Sequence, residues 1–362
     1  MTLNTLPLEK IHTDLGAKLV PFGGWNMPVQ YTDGIIAEHK HTRESVSIFD
    51  ICHMGEFMIE GPGATEALDK ILARSIHSQK IGVCRYNFLM NSLGGVRDDL
   101  IVYRLGDESY FIVVNAATTA DDAYWIKQNL PETVVFTDVS ANTGKLDLQG
   151  PLTFEVMSLL GFDKSELPDY FKFIQTEFKG IPCIVSRTGY TGERGLEFYV
   201  AVEDLQKLWG LLTSDPRVKP AGLGARDTLR LEVGYALYGH ELNETTTPYD
   251  IGYEKLIKLT GRDFVGKHSL INAERKYLTG IVLDKRRAAR EGTAVKIELE
   301  NIEDIGTVTS GSFAPSVGTA VALAFLKHEL PVGTEVLLGE GPKFLKGVVT
   351  ELPFYKEGTV RD

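Results

Sequence analysis

Hydrophobic and polar positions change rhythm several times along this chain. IIAEHKHTRESVSIFD, Ile35 to Asp50, carries its charges on one face at helical spacing and predicts a helix after a turn-rich segment, Gly23 to Gly34. GEFMIEG alternates and predicts a strand, and GATEALDKILARSI returns to helical spacing with Thr65 near its start. CRYNFLMN, LIVYRL and SYFIVVNA predict three consecutive strands separated by glycine turns. TTADDAYWIKQNL predicts a helix, and GKLDLQGP a strand leading into a turn. The pattern then starts afresh. TFEVMSLLGF and VEDLQKLWGLL predict helices on either side of a glycine-hinged hairpin, Lys179 to Val200, and GLGARDTLRLEVGYALYG predicts a helix through its middle.

After Lys276 the character changes. YLTGIVLD, AVKIELE, IGTVTSG, TAVALAFL, GTEVLLG and FLKGVVTELPF are short strand patterns at close intervals, which predicts a separate all-β barrel. The preceding part mixes helices and strands without strict alternation, so the fold class is α+β rather than a doubly wound sheet.

Composition narrows the function classes. At 362 residues the chain can bury two or three cores, and a net charge of −11 makes it a poor binder of nucleic acid. Its three cysteines are far apart and odd in number, which excludes a disulfide framework and suits a reducing, cytoplasmic setting. No apolar run approaches the ~18 residues a membrane span needs, and acids and a proline interrupt the Met1 end too early for a signal peptide.

Several stretches carry possible chemistry. GRDFVGKH, Gly261 to His268, nearly spells a phosphate loop, but His268 stands where the metal-reaching hydroxyl belongs, so it reads as a helix-start turn. His39, His41 and His53 have neither a shared helix face nor a cysteine pair, so no metal site is expected. Cys52 beside His53 reads as a structural cysteine. Asp98 and Asp99 face opposite sides of a strand: they are either a turn-closing and a surface acid, or one is a carboxylate at a cavity mouth that orients or relays a proton. RTGYTGERGLE is either an ordinary glycine-rich hairpin or one that lets backbone approach a ligand, with Tyr190 and Glu197 beside it. Arg226 and Arg230, four apart, make either an exposed charged face or a cationic clamp for carboxylates.

FDICHMGEF, GGVRDDLIVYR, VVNAA, LQGP, SRTGYTGERGLEFYV, GLGARDTLRLEVGYALYGHEL, TTPYDIGY, DFVGK, GTVTSGSFAPSVG and PFYKEGTVRD together resemble the T-protein family of the glycine cleavage system, in the family's order and over nearly the whole chain. The resemblance implies a three-domain cloverleaf around a central pocket. Two discontinuous α/β folate-binding domains, 1–50 with 145–230 and 51–144 with 231–276, would precede a C-terminal barrel, 277–362. It implies aminomethyl transfer from a lipoylated H-protein to tetrahydrofolate, with ammonia released and 5,10-methylenetetrahydrofolate formed. Asp99 falls on the catalytic carboxylate, with Asp98 as its outward or turn partner. Glu197 falls on the pterin-binding glutamate, able to accept a pair of N–H donors. Tyr86, Tyr103, Asn115 and Tyr190 fall on pocket-lining positions, and Arg226 and Arg361 on charged contacts to the folate tail.

The chain departs from the family's usual PxEAGLxW pattern, with Asp250 for the glutamate and Lys255 for the aromatic. That departure bears on the one-carbon donor. A tetrahydrofolate-dependent demethylase acting on a small methylated substrate is the alternative enzyme, and a folate-binding maintenance or tRNA-modification-associated protein is the non-catalytic one.

Overall fold

The structure is a computed structural model and describes residues 2–298, 302–340 and 344–362. By internal contacts the chain divides into two compact units. The first comprises Met1–Asn87, Asp99–Arg226 and Gly358–Asp362; the second comprises Phe88–Asp98 and Asp227–Glu357.

The first unit is organised by a six-stranded sheet in the spatial order Phe173–Phe178, Ile181–Ser186, Gly195–Ala201, Thr143–Gln149, Val46–Asp50 and Val218–Pro220. Neighbours are antiparallel except the last pair. One face is apolar: Leu146, Leu148, Leu196, Phe198 and Val200 join Phe154, Met157, Leu208 and Trp209 from the helices Thr153–Leu159 and Leu205–Leu212. Burying each such side chain stabilises the unit by roughly 1.5–3 kcal/mol. The other face meets the five-stranded sheet, whose order is Cys84–Met90, Val96–Gly106, Ser109–Val114, Gly55–Glu60 and Val135–Asp138. Cys84, Tyr103, Phe111, Val113, Phe173 and Tyr199 pack together there.

Three expectations need correction. The segment Ile35–Asp50 is not one helix: a helix spans Ile35–Glu44, and Val46–Asp50 is a fully buried strand. The charges that mark the helix stop at Glu44, and the apolar VSIF that follows belongs in a sheet interior. The turn-rich Gly23–Gly34 contains the strand Trp25–Gln30, which pairs with Asn4–Thr5 and Lys18–Phe22. The helix beginning at Ala64 ends at Ile71, because Leu72 turns to extended backbone.

In the second unit a closed six-stranded barrel has the order Tyr277–Leu283, Thr319–Leu326, Ile302–Ala314, Ala294–Glu298, Glu335–Leu338 and Leu345–Thr350. Its existence after Lys276 agrees with the strand spacing. Residues 299–300 of the predicted strand AVKIELE lie outside the described residues. Small residues make so narrow a barrel possible: Ala320, Ala322 and Ala324 alternate into its core, while Val321 and Leu323 pack outward with Leu231 and Ala314. Among the described residues no helix is long and apolar enough to cross a membrane.

Because the barrel interior is filled by these alanines, Ala322→Leu should overpack it and cost about 1–3 kcal/mol, read as a lower urea midpoint for barrel unfolding. An unchanged midpoint would mean the interior has room that the packing denies.

Candidate active site

Asp99 sits in the strand Val96–Gly106, where alternation puts Val96, Asp98, Leu100 and Val102 on the buried face. Asp98, expected to be the outward or turn partner, is instead fully buried, and Asp99 is the one partly open to solvent. The strand begins at Val96, so neither acid lies in the turn, and from Val96 to Val102 the even-numbered positions are the buried ones. Strands on either side supply donors to Asp99. Tyr86 Oη donates to Oδ2 at 2.9 Å, and Asn115 Nδ2 donates to Oδ1 at 2.9 Å and to the Asp99 carbonyl at 3.1 Å. Asn115 is itself held where its own carbonyl accepts the hydroxyls of Thr118 and Thr119. The carboxylate is thus aimed by neutral donors on both oxygens.

Glu197 is placed by the other sheet. In the pairing of Thr143–Gln149 with Gly195–Ala201, Lys145 lies opposite Tyr199 and Asp147 opposite Glu197. Opposed residues share a face, so GKLDLQ and GLEFYV bring Lys145, Asp147, Glu197 and Tyr199 together on the side away from the leucine core. Glu197 is only 3% exposed. Its Oε2 accepts the hydroxyls of Thr188 and Tyr199, each at 2.9 Å, and lies 3.5 Å from Lys145 Nζ. Among the described residues its Oε1 makes no hydrogen bond, so N–H donors of a ligand would find one oxygen rather than both.

The glycines of the hairpin loop have a definite task. A Cβ on Gly189 or Gly195 would fall 2.3 or 2.0 Å from the Gln149 side chain, so only glycine lets the loop close over it. Gln149 in turn donates to the Thr188 carbonyl and accepts from Thr191, which fixes Thr188 beside Glu197.

The remaining expected residues divide. Tyr103 is fully buried with its hydroxyl shared by Ser186 and Tyr199. It therefore supports Glu197 from behind, where a ligand-facing position was expected. The Arg226 guanidinium stacks 5.2 Å from the Tyr190 ring and pairs with the buried Asp147. Arg230 is buried and bound to Glu241 at 3.1 Å and Ser310 at 2.8 Å. Neither an exposed face nor a two-arginine clamp results: Arg226 is paired with Asp147, and Arg230 with Glu241 and, at 2.8 Å, Asp227. Arg361 is exposed and is not brought to either acid, although its neighbours Thr359 and Val360 bond to Glu193 and Gly192. Asp250 ties a turn, accepting from the backbone N–H groups of Thr247 and Lys276, and Lys255 is exposed.

Electrostatics separates these groups. Burial acts to raise the Glu197 carboxyl, yet Lys145, then Arg226 and the Tyr199 and Thr188 hydroxyls, bring it below its ordinary value. Burial raises Asp147 to about 6 against the opposing pull of Arg226. Burial lowers His53 to about 3, helped by Arg226, so it is neutral. The Cys52 thiol is pushed well up by burial and donates to the Lys145 carbonyl, a structural role. Among the described residues no three His, Cys, Asp or Glu side chains are grouped to hold a metal. Gly261–His268 forms a turn into the short helix Lys267–Ile271.

Lys145 and Asp147 were not expected at the site. GKLDLQ alternates polar with leucine, which reads as a strand facing water; only the sheet packed above makes that polar face an interior.

The architecture and sequence have close counterparts. Residues 8–261 match the GCVT N-terminal domain and residues 276–356 the glycine cleavage T-protein C-terminal barrel domain. The structure superposes on glycine cleavage system aminomethyltransferase T from Bartonella henselae with a TM-score of 0.89, at 32% identity and over 99% of both chains. The chain belongs to the glycine cleavage T-protein family. Relatives named aminomethyltransferase include one from Pseudothermotoga lettingae, 39% identical over 98% of each chain, and one from Listeria welshimeri, 40% identical over 97% of each.

The Arg226–Asp147 pair gives a direct check on the geometry. Arg226→Met leaves a buried carboxylate unpaired and should cost about 3–5 kcal/mol in urea unfolding. Arg226→Met with Asp147→Leu should recover most of that loss. Additive losses would contradict a pairwise interaction.

Proposed function

We propose that this protein is the aminomethyltransferase of a glycine cleavage system. It moves the aminomethyl carbon from the lipoyl sulfur of H-protein to tetrahydrofolate, releasing ammonia, regenerating the thiol and forming 5,10-methylenetetrahydrofolate. Family membership and the names of full-length relatives support the reaction class. The single observation that carries the chemistry is Asp99: both its oxygens are gripped by neutral donors, Tyr86 and Asn115, while the carboxylate stays partly open.

Tetrahydrofolate supplies the attacking nitrogen, N5, when bound. The residues fit such a guest. Glu197 offers an ionised carboxylate with Oε1 unspent, suited to the N–H edge of a pterin. Tyr190, backed by Arg226, offers an aromatic face. Asp99 accepts or relays the proton that the attacking nitrogen must lose, a role for which a fixed, hydrogen-bonded carboxylate is worth ~10²–10⁴ in rate. Tyr86 and Asn115, on either side, keep it aimed.

The deciding assay couples the protein to the other glycine cleavage components, with and without lipoylated H-protein. Ammonia release that requires aminomethylated H-protein is expected. One-carbon transfer from a small methylated donor without H-protein would contradict the proposal. In that assay Asp99→Asn should keep folate affinity and lose about 10² or more in turnover, since shape is retained and the charge removed; near-normal turnover would remove Asp99 from catalysis. Glu197→Ala should weaken folate binding by roughly 1.5–3 kcal/mol by calorimetry, and unchanged affinity would exclude it from the site.

A further inference from the structure

Lys145 is a cation where the fold has no need of one. Its side chain is 1% exposed, inside a sheet sandwich, and its backbone register is that of an ordinary strand residue. Removing an ammonium from water costs several kcal/mol even after relaxation, and an apolar side chain of similar volume would fill the space without that cost. Its Nζ touches Glu197 Oε2 at 3.5 Å and Met54 Sδ at 3.4 Å, and lies 5.0 Å from the centre of the Tyr199 ring.

The same interior holds an internal control. Glu56, in the strand Gly55–Glu60, is buried like Glu197, but its two oxygens make no hydrogen bond and it forms no close ion pair with Lys145. Burial pushes the Glu56 carboxyl well above the usual carboxylate range, while the Glu197 carboxyl lies below it. Contact with the lysine, together with Arg226 and two hydroxyls, separates the two acids.

Among the described residues the titratable and charged groups facing Glu197 fit this division. From its own strand comes the Tyr199 hydroxyl, and from Thr143–Gln149 come Lys145 and Asp147. The helix Leu223–Glu232 contributes Arg226, and the other sheet contributes Tyr103, Cys84 and Glu56. Burial raises the Tyr103 and Cys84 groups, so both are neutral at pH 7. Two cations, Lys145 and Arg226, thus stand against two anions, Glu197 and Asp147. Arg226 is committed to Asp147, which leaves Lys145 as the counter-ion of Glu197.

We propose that Lys145 is a positioning residue for ligand binding: it fixes Glu197 as a carboxylate with Oε2 turned toward the lysine and the Tyr199 and Thr188 hydroxyls, leaving Oε1 for the N–H edge of the pterin. This rests on the reading of Glu197 as the pterin acceptor. Without the lysine, burial dominates and the Glu197 carboxyl rises. A protonated Glu197 is a poorer acceptor, so affinity for a pterin falls as pH drops through the raised value.

The test has two arms. In the first, protein labelled with carbon-13 in its glutamate carboxyls is titrated from about pH 5 to about pH 9, with the Glu197 signal assigned by E197Q. The wild-type signal should stay that of a carboxylate throughout, K145R should resemble it, and K145M and K145Q should move its midpoint upward. A wild-type Glu197 that titrates at or above the ordinary carboxylate range overturns the proposal even if no variant folds. So does a K145M signal that does not move. In the second arm, calorimetry with 5-formyltetrahydrofolate should give a nearly flat affinity profile for wild type and K145R. K145M should lose about ten-fold per pH unit below its new midpoint. A uniform, pH-independent loss would mark a structural role and contradict the proposal. Failure of the wild type to bind the folate would sink the functional reading, while the carboxyl titration would still decide for or against Lys145.

Discussion

Four ionisable side chains, Lys145, Arg226, Asp147 and Glu197, meet on one face of a sheet that water barely reaches, and the fold around them follows from that. Charges in so dry a place attract one another far more strongly than on a surface, and any left unmatched would be intolerable. The neighbours are chosen accordingly. Hydroxyls from Thr188 and Tyr199 complete the Glu197 shell, and Tyr103 and Ser186 extend it. Aromatic residues of the facing sheet exclude solvent. The glycine-hinged hairpin closes over Gln149 and so delivers Thr188.

The two acids of the site are handled in opposite ways. Asp99 is held by an amide and a phenol, both neutral, and stays partly open. Glu197 is buried, contacted by a cation and kept ionised, which suits an acceptor that should not change state during turnover. In the proposed function, proton handling and ligand anchoring fall to carboxylates whose surroundings differ, the usual physical sign of distinct roles.

Much of this was legible in the sequence. The barrel follows from strand spacing after Lys276, the glycine-rich hairpin from its three glycines, and the family from motifs in order. The rest depends on what packs against what. VSIF reads as the end of a helix until a sheet needs a central strand there. Asp98 and Asp99 are interchangeable on paper, and only the neighbouring layer decides which faces inward. Lys145 and Asp147 look like the wet face of an amphipathic strand, because alternation reports that a face is polar and cannot report that a second sheet covers it. Arg226 and Arg230 sit at the spacing of a clamp, but Arg226 meets Asp147, far away in sequence, and Arg230 is taken up by Asp227 and Glu241.

The most direct measurement is a crystal structure of the protein with bound 5-formyltetrahydrofolate. The account requires the pterin N–H edge on Glu197 Oε1, with the lysine and hydroxyl contacts to Oε2 intact, and Asp99 within hydrogen-bonding reach of the reduced ring. A folate bound elsewhere, or one whose pterin leaves Glu197 untouched, would contradict it.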